Sequence, residues 1–200
     1  ICASGREGDA LIQEAANKLK ALGLYRQAAM LLDHQVFKRL RGEERAIIAA
    51  DLADLHLAAG SPADALRVIR TTRIAGLPES INARRRRIEA KALAEEGKAE
   101  NSITLLSISP VTEDILLRAE INWSRRDWPE AARDYAAYVA TLIVVDAKRD
   151  RTAAVRAATA YLLAGDRQSY RAFALDMKEK LGGAPEGDLI ETLGDVDQSQ

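Results

Sequence analysis

Two hundred residues carrying 29 Lys+Arg against 30 Asp+Glu, with a pI near 6.2, leave no global field to draw the chain onto nucleic acid or an anionic membrane. Hydrophobic content is ordinary at 48%, but 37 alanines against 2 Trp, 5 Tyr and 2 Phe favour closely packed helices and argue against strands. No apolar run reaches the roughly 18 residues a spanning helix needs, and the one cysteine, Cys2, excludes an internal disulfide.

The chain begins at Ile1 without a methionine, as expected of a processed product or a piece of a longer protein, and Cys2 is read as lying at that boundary rather than as a lipid-modified start. Apolar periodicity then predicts helices over 7–22, 24–41, 43–59, 62–73, 78–96, 98–106, 112–125, 128–145, 147–164 and 167–181. Pro78 and Pro110 suit first helical turns, with Ser109 as a cap before Pro110, and Pro62 and Pro129 sit where second helices begin. Thr71–Glu79 reads as a longer connection. Residues 182–200 lose the pattern and read as a loose tail, or a short helix around Asp188–Leu193.

One phrase recurs along these helices: a Gly, four mostly polar residues, then a small residue. It starts at Gly23, Gly60, Gly97, Arg126 and Gly165, and its small position holds Ala28, Ala65, Ser102, Ala131 and, in the last copy, Tyr170. Seven residues before each start stands an alanine: Ala16, Ala53, Ala90, Ala119 and Ala158. Four residues after the small position come Leu32, Ile69, Leu106, Tyr135 and Ala174. The physical reading is a helical hairpin. The early alanine lets two helices cross closely, the glycine supplies a left-handed cap, and the bulkier residue one turn later fills the space between units.

This pattern resembles the tetratricopeptide repeat, most closely at Arg126-Asp-Trp-Pro-Glu-Ala-Ala-Arg-Asp-Tyr135. The resemblance is degenerate and covers about residues 8–181. It implies an all-α fold, an α-solenoid of about five helix-turn-helix hairpins over 1–181, with units near 8–41, 43–73, 78–106, 112–145 and 147–181. It also implies a concave groove lined by the first helix of each hairpin, where a protein or peptide partner binds.

Little in the sequence points to chemistry. His34 and His56 lie in different helices without ligand spacing, so His56 reads as a satisfied packing histidine and no metal or cofactor is expected. Cys2 has no neighbouring His, and no phosphate loop, dinucleotide fingerprint or nucleophile elbow occurs. The chain is read as no enzyme.

The sharpest polar feature is Arg84-Arg85-Arg86-Arg87 followed by Lys91. On a helix, Arg84, Arg87 and Lys91 share one face, which the resemblance places in the groove. Two readings stand side by side: a cationic site for a carboxylate or acidic segment, or an acid-base ladder with Asp51 and Asp54 before it and Glu113 and Glu120 after it. The apolar counterpart is Leu57, Trp123 and Leu162, each three residues before a turn. Trp123 is either an anchor for a bound peptide or packing between helices, whereas Trp128, Tyr135 and Tyr138 read as structural. RNA binding, which needs a basic surface across many units, is disfavoured because the basic run is confined to one.

The expectation is therefore a non-enzymatic binding module or scaffold, holding a partner's peptide or helix around Arg84, Arg87, Lys91, Glu120 and Trp123. The alternative is a segment of a larger assembly protein whose repeats pack on their own chain or self-associate. High Ala and 21 Arg against 8 Lys are compatible with a GC-rich bacterial source, in cytoplasm or periplasm.

Overall fold

The computed structural model describes residues 5–108, 111–181 and 183–197. The readings placed on Cys2, Ser109 and Pro110 lie outside the described residues. Among the described residues the chain is all-helical, with eleven α-helices and no strand. They are α1 (Arg6–Ala21), α2 (Tyr25–His34), α3 (Gly42–Ala58), α4 (Pro62–Thr71), α5 (Glu79–Glu95), α6 (Ala99–Leu106), α7 (Thr112–Ser124), α8 (Trp128–Ala140), α9 (Lys148–Leu163), α10 (Arg167–Leu181) and α11 (Pro185–Asp197).

The recurrent phrase has one backbone geometry at all five of its occurrences. Gly23, Gly60, Gly97 and Gly165 adopt left-handed φ values of 72 to 74°, and Arg126 does the same at 62°. The next residue's N–H then reaches back five residues: Leu24 to Leu19 O at 2.9 Å, Ser61 to His56 O at 2.8 Å, Lys98 to Leu93 O at 2.8 Å, Asp127 to Asn122 O at 3.0 Å and Asp166 to Tyr161 O at 2.9 Å. These bonds satisfy carbonyls at the ends of α1, α3, α5, α7 and α9 that no helical turn can reach.

The positions aligned by the phrase are interior positions. Ala16, Ala53, Ala90, Ala119 and Ala158 are all buried, as are Ala28, Ala65, Ser102, Ala131 and Tyr170. Ser102 replaces the usual alanine without leaving its hydroxyl stranded, because Oγ donates to Ala90 O at 2.7 Å. The bulkier residues Leu32, Ile69, Leu106 and Tyr135 are buried one turn on, and Ala174 is half-buried.

Packing divides the chain into two compact units, Ile1–Leu105 and Leu106–Gln200. In the first, α1 packs on α2, α2 on α3, α3 on α4, and α5 on both α3 and α4. Leu52, Val68 and Ile69 are at the centre of its core, joined by Ala28, Val36 and Leu55. Burying each such aliphatic side chain contributes about 2 kcal/mol. In the second unit, α7 packs on α8, α8 on α9, α9 on α10, and α11 on both α9 and α10. Its core is more aromatic, with Tyr135, Tyr138, Tyr170 and Phe173 around Met177 and Ile190.

Several element ends differ from expectation. The helix expected over 24–41 leaves the α form at Gln35 and continues as a π-helical turn, Gln35–Arg39, in which Leu40 N–H reaches Gln35 O at 3.0 Å. The turn accompanies a fully buried Gln35, whose Nε2 donates to Asp9 O at 3.0 Å. Pro78 is the cap of α5 rather than part of its first turn, and its carbonyl accepts from Ile81 and Asn82.

Helix α8 stops at Ala140 instead of 145. Thr141 Oγ1 bonds Tyr138 O at 2.7 Å, and the β-branched run that follows is a poor helix former. Leaving the helix lets Val145 enter the core while Ile143 stays exposed. The tail contains a full helix, α11, longer than the short one expected around Asp188–Leu193. Ile190 buries completely, and Tyr170 Oη donates to its carbonyl.

Candidate functional site

The arginine run on α5 divides among four fates, as a helical run must, since successive residues point about 100° apart. Arg84 Nη2 donates to Asp51 Oδ1 at 2.7 Å and to Asp54 Oδ2 at 2.8 Å, both on α3. Burial alone would lower its guanidinium pKa; the two carboxylates outweigh burial and raise it. Arg84 is thus the rung of an acid-base ladder, not a free cation.

Arg85 is buried and braces three segments. It donates to Ala46 O at 2.6 Å, Ile69 O at 2.8 Å and Thr72 Oγ1 at 3.0 Å. Arg86 reaches Glu79 at 3.4 Å. Arg87 is half-buried and already engaged, while Lys91 is exposed. Beside them Glu89, also buried, accepts from Arg70 at 3.0 Å and Arg73 at 2.9 Å, tying the end of α4 to α5.

Unit one also holds a cleft of 470 Å³ lined by Arg26, Met30, Asp33, His56 and Asp64 among others. The expectation of a satisfied histidine fails here. His56 Nε2 is buried and has no hydrogen-bond partner among the described residues. Burial lowers the imidazole pKa, with Arg67 adding to the effect and Asp64 and Asp33 opposing it. His34 is exposed, and no three His, Cys, Asp or Glu side chains cluster to hold a metal among the described residues.

The other two groove residues, Glu120 and Trp123, belong to unit two and are described within it. Trp123 is half-buried against the core. Its ring meets Trp128 edge-on at 5.3 Å and Tyr135 edge-on at 6.1 Å. Leu57 and Leu162, its counterparts in the sequence, likewise pack on their cores. Trp128 is half-buried, and Tyr135 and Tyr138 are core residues as expected.

Arg156 of α9 lies over Trp123 at 5.4 Å and over Tyr135 at 5.9 Å, and its Nη1 donates to Tyr135 Oη at 2.9 Å. Burial raises the Tyr135 phenol pKa, and Arg156 counters it. Below this stack Asp134 accepts from Arg118 Nε at 2.8 Å and Asn122 Nδ2 at 3.0 Å, which fixes α7 on α8.

Glu120 is exposed at the edge of a 380 Å³ cleft whose other walls are Leu116, Tyr135, Lys148, Arg149, Thr152, Ala153 and Arg156. Three of those residues, Lys148, Arg149 and Arg156, are cations that the sequence reading overlooked. The signal was present: 149, 152 and 156 follow the three- and four-residue steps of one helix face. The four consecutive arginines of α5 are the denser run of charge in the sequence. The cleft combines an apolar and aromatic wall of Leu116, Ala153 and Tyr135 with an excess of positive charge, a lining suited to holding an anionic group.

Comparison of the chain with protein-family models, with curated proteins and with solved structures finds no match. No helix among the described residues is long and apolar enough to cross a membrane.

Proposed function

We propose that this chain is a helical-repeat binding module, similar to tetratricopeptide repeats, that holds a segment of a partner protein. The five like turns and their aligned buried alanines support an α-solenoid of about five hairpins. The observation that carries a binding role is the unit-two cleft, where exposed Glu120, Tyr135 and an Arg156 held over the Trp123 ring border open space. Aromatic and arginine side chains held in place before binding lose little entropy on contact and commonly dominate interface energies. On α5, a surface of unit one considered by itself, Lys91 is exposed, whereas Arg84 is committed to Asp51 and Asp54 and Arg87 is itself engaged.

The test is site-specific photocrosslinking from position 120 in the native source, beside a control at exposed Glu44. Recovery of one partner's peptides from 120 and not from 44 is the expected result. Equal crosslinking at both positions overturns the cleft assignment. An Arg87→Glu/Lys91→Glu variant that retains the partner moves binding away from α5.

A second reading, self-association within a larger assembly, is favoured by apolar side chains that unit one leaves in solvent. Leu22 is 74% and Met30 75% exposed. Sedimentation equilibrium decides it: a mass that rises with concentration, and returns to the monomer in Leu22→Ser/Met30→Ser, supports it, and a fixed monomer rejects it.

A further inference from the structure

The unit-two cleft holds more positive charge than its surroundings neutralise. Lys148, Arg149 and Arg156 line it, and Glu120 is the one acid in its wall. The Lys148 ammonium makes no hydrogen bond or ion pair among the described residues, while its main-chain carbonyl accepts from Thr152 Oγ1 at 2.8 Å. Arg149 sits over the Tyr138 ring at 5.8 Å, and its carboxylate contact, Asp150 Oδ1, is a long 3.5 Å away. That carboxylate is itself buried and takes a 2.6 Å hydrogen bond from Tyr138 Oη. Arg156 is positioned by aromatic rings and a phenol rather than by an acid. Helix α9 begins at Lys148, so the positive end of its dipole, offset in part by Asp150 in the first turn, lies at the same place.

Three cations against Glu120 in the wall and Asp150 beside Arg149 leave a net charge near one in a space of 380 Å³. A single carboxylate would offer two acceptor oxygens to three cationic side chains. A phosphomonoester carries close to two negative charges on one compact group, with three acceptor oxygens for guanidinium and ammonium donors. Leu116 and Tyr135 supply an apolar wall for whatever bears the ester.

We propose that this cleft binds a phosphomonoester. The proposal rests on reading the cleft as the binding surface, and it adds the chemistry of the ligand. The ester could reside on a phosphorylated peptide or on a small phosphate ester, and the two sources differ in what the apolar wall contributes.

The experiment is calorimetric titration of the whole chain with four probes: O-phosphoserine, a short peptide containing phosphoserine, the same peptide with glutamate in its place, and the unmodified peptide. The partner variant is Lys148→Gln/Arg149→Gln, whose side chains are exposed at the cleft, with circular dichroism to verify an unchanged helix content. The phosphorylated probes should bind, and the double variant should weaken them about tenfold or more. Glu120→Gln, which removes the opposing charge, should tighten them.

Equal affinity for O-phosphoserine and the phosphopeptide supports a site that reads the ester alone; tighter phosphopeptide binding supports a peptide source. A glutamate peptide as tight as the phosphopeptide, an unaffected double variant, or no binding of either phosphorylated probe overturns the proposal. A partner crosslinked at position 120 whose capture is indifferent to phosphatase treatment keeps the binding module and removes the phosphate.

Discussion

Single side chains in this protein show how burial decides between roles that composition leaves equal. Four adjacent arginines have the same intrinsic chemistry, yet only Arg85 is an interior brace, because its position on α5 faces the start of α3 and the end of α4. Its truncation would remove three bonds that tie α3, Ile69 and Thr72 to α5 and would leave a void between them. Arg85→Ala is therefore expected to cost about 3 kcal/mol in urea unfolding, and Arg85→Lys to recover only part of it, since an ammonium cannot span the same fork.

His56 is the titrating counterpart. Its folded pKa lies below the ordinary 6.5 because burial penalises the charged ring. Below pH 6.5 the unfolded chain thus binds the proton more readily than the folded one. The stability this neutral ring contributes is present above that value and is lost as pH falls through the folded pKa. Unfolding free energy measured from pH 7.5 down to 5.5 should decline, and His56→Gln should flatten the decline; an equal slope in both proteins would refute the assignment.

At the scale of the element, the turns are the most informative test of the repeat. Four carry glycine at the left-handed position, and Arg126 adopts the same conformation with a Cβ that disfavours it. Arg126→Gly should raise stability by about 0.5 kcal/mol, the relief of strain partly offset by a more flexible unfolded chain. Gly60→Ala should lose about 1 kcal/mol for the converse reason, because nothing crowds its Cβ and only the backbone objects. Helix α11 supplies a packing test. Ile190 is buried against α9 and α10, so Ile190→Ala should destabilise unit two by about 3 kcal/mol in chemical unfolding. A loss well under 1 kcal/mol would mean that α11 is not docked.

Across the whole molecule, protection from hydrogen exchange should follow the two cores. The slowest amides are expected in α3, with Leu52 and Ala53 fully buried, and in α8, with Tyr138 and Val139 fully buried. The fastest are expected in the connections 72–78 and 141–147, which lie outside helices. Uniform protection across helices and connections would contradict this division.

Residue spacing by itself determined the helices, the five turns and the buried alanines, because those depend on local forces: 3.6-residue periodicity, glycine's access to positive φ and the size of one side chain. It also offered the ladder of Arg84 with Asp51 and Asp54 as one of two readings, since a 30–33 residue separation across a repeat brings like faces together. Other features depend on what each segment meets after folding, and local patterns carry no record of that. The π turn at Gln35, the early end of α8 and the docking of α11 follow from which side chains find interior partners: Gln35, Val145 and Ile190. The cleft of Lys148, Arg149 and Arg156 beside Glu120 and Trp123 is of the same kind. Its residues come from α7, α8 and α9, and only packing makes them neighbours.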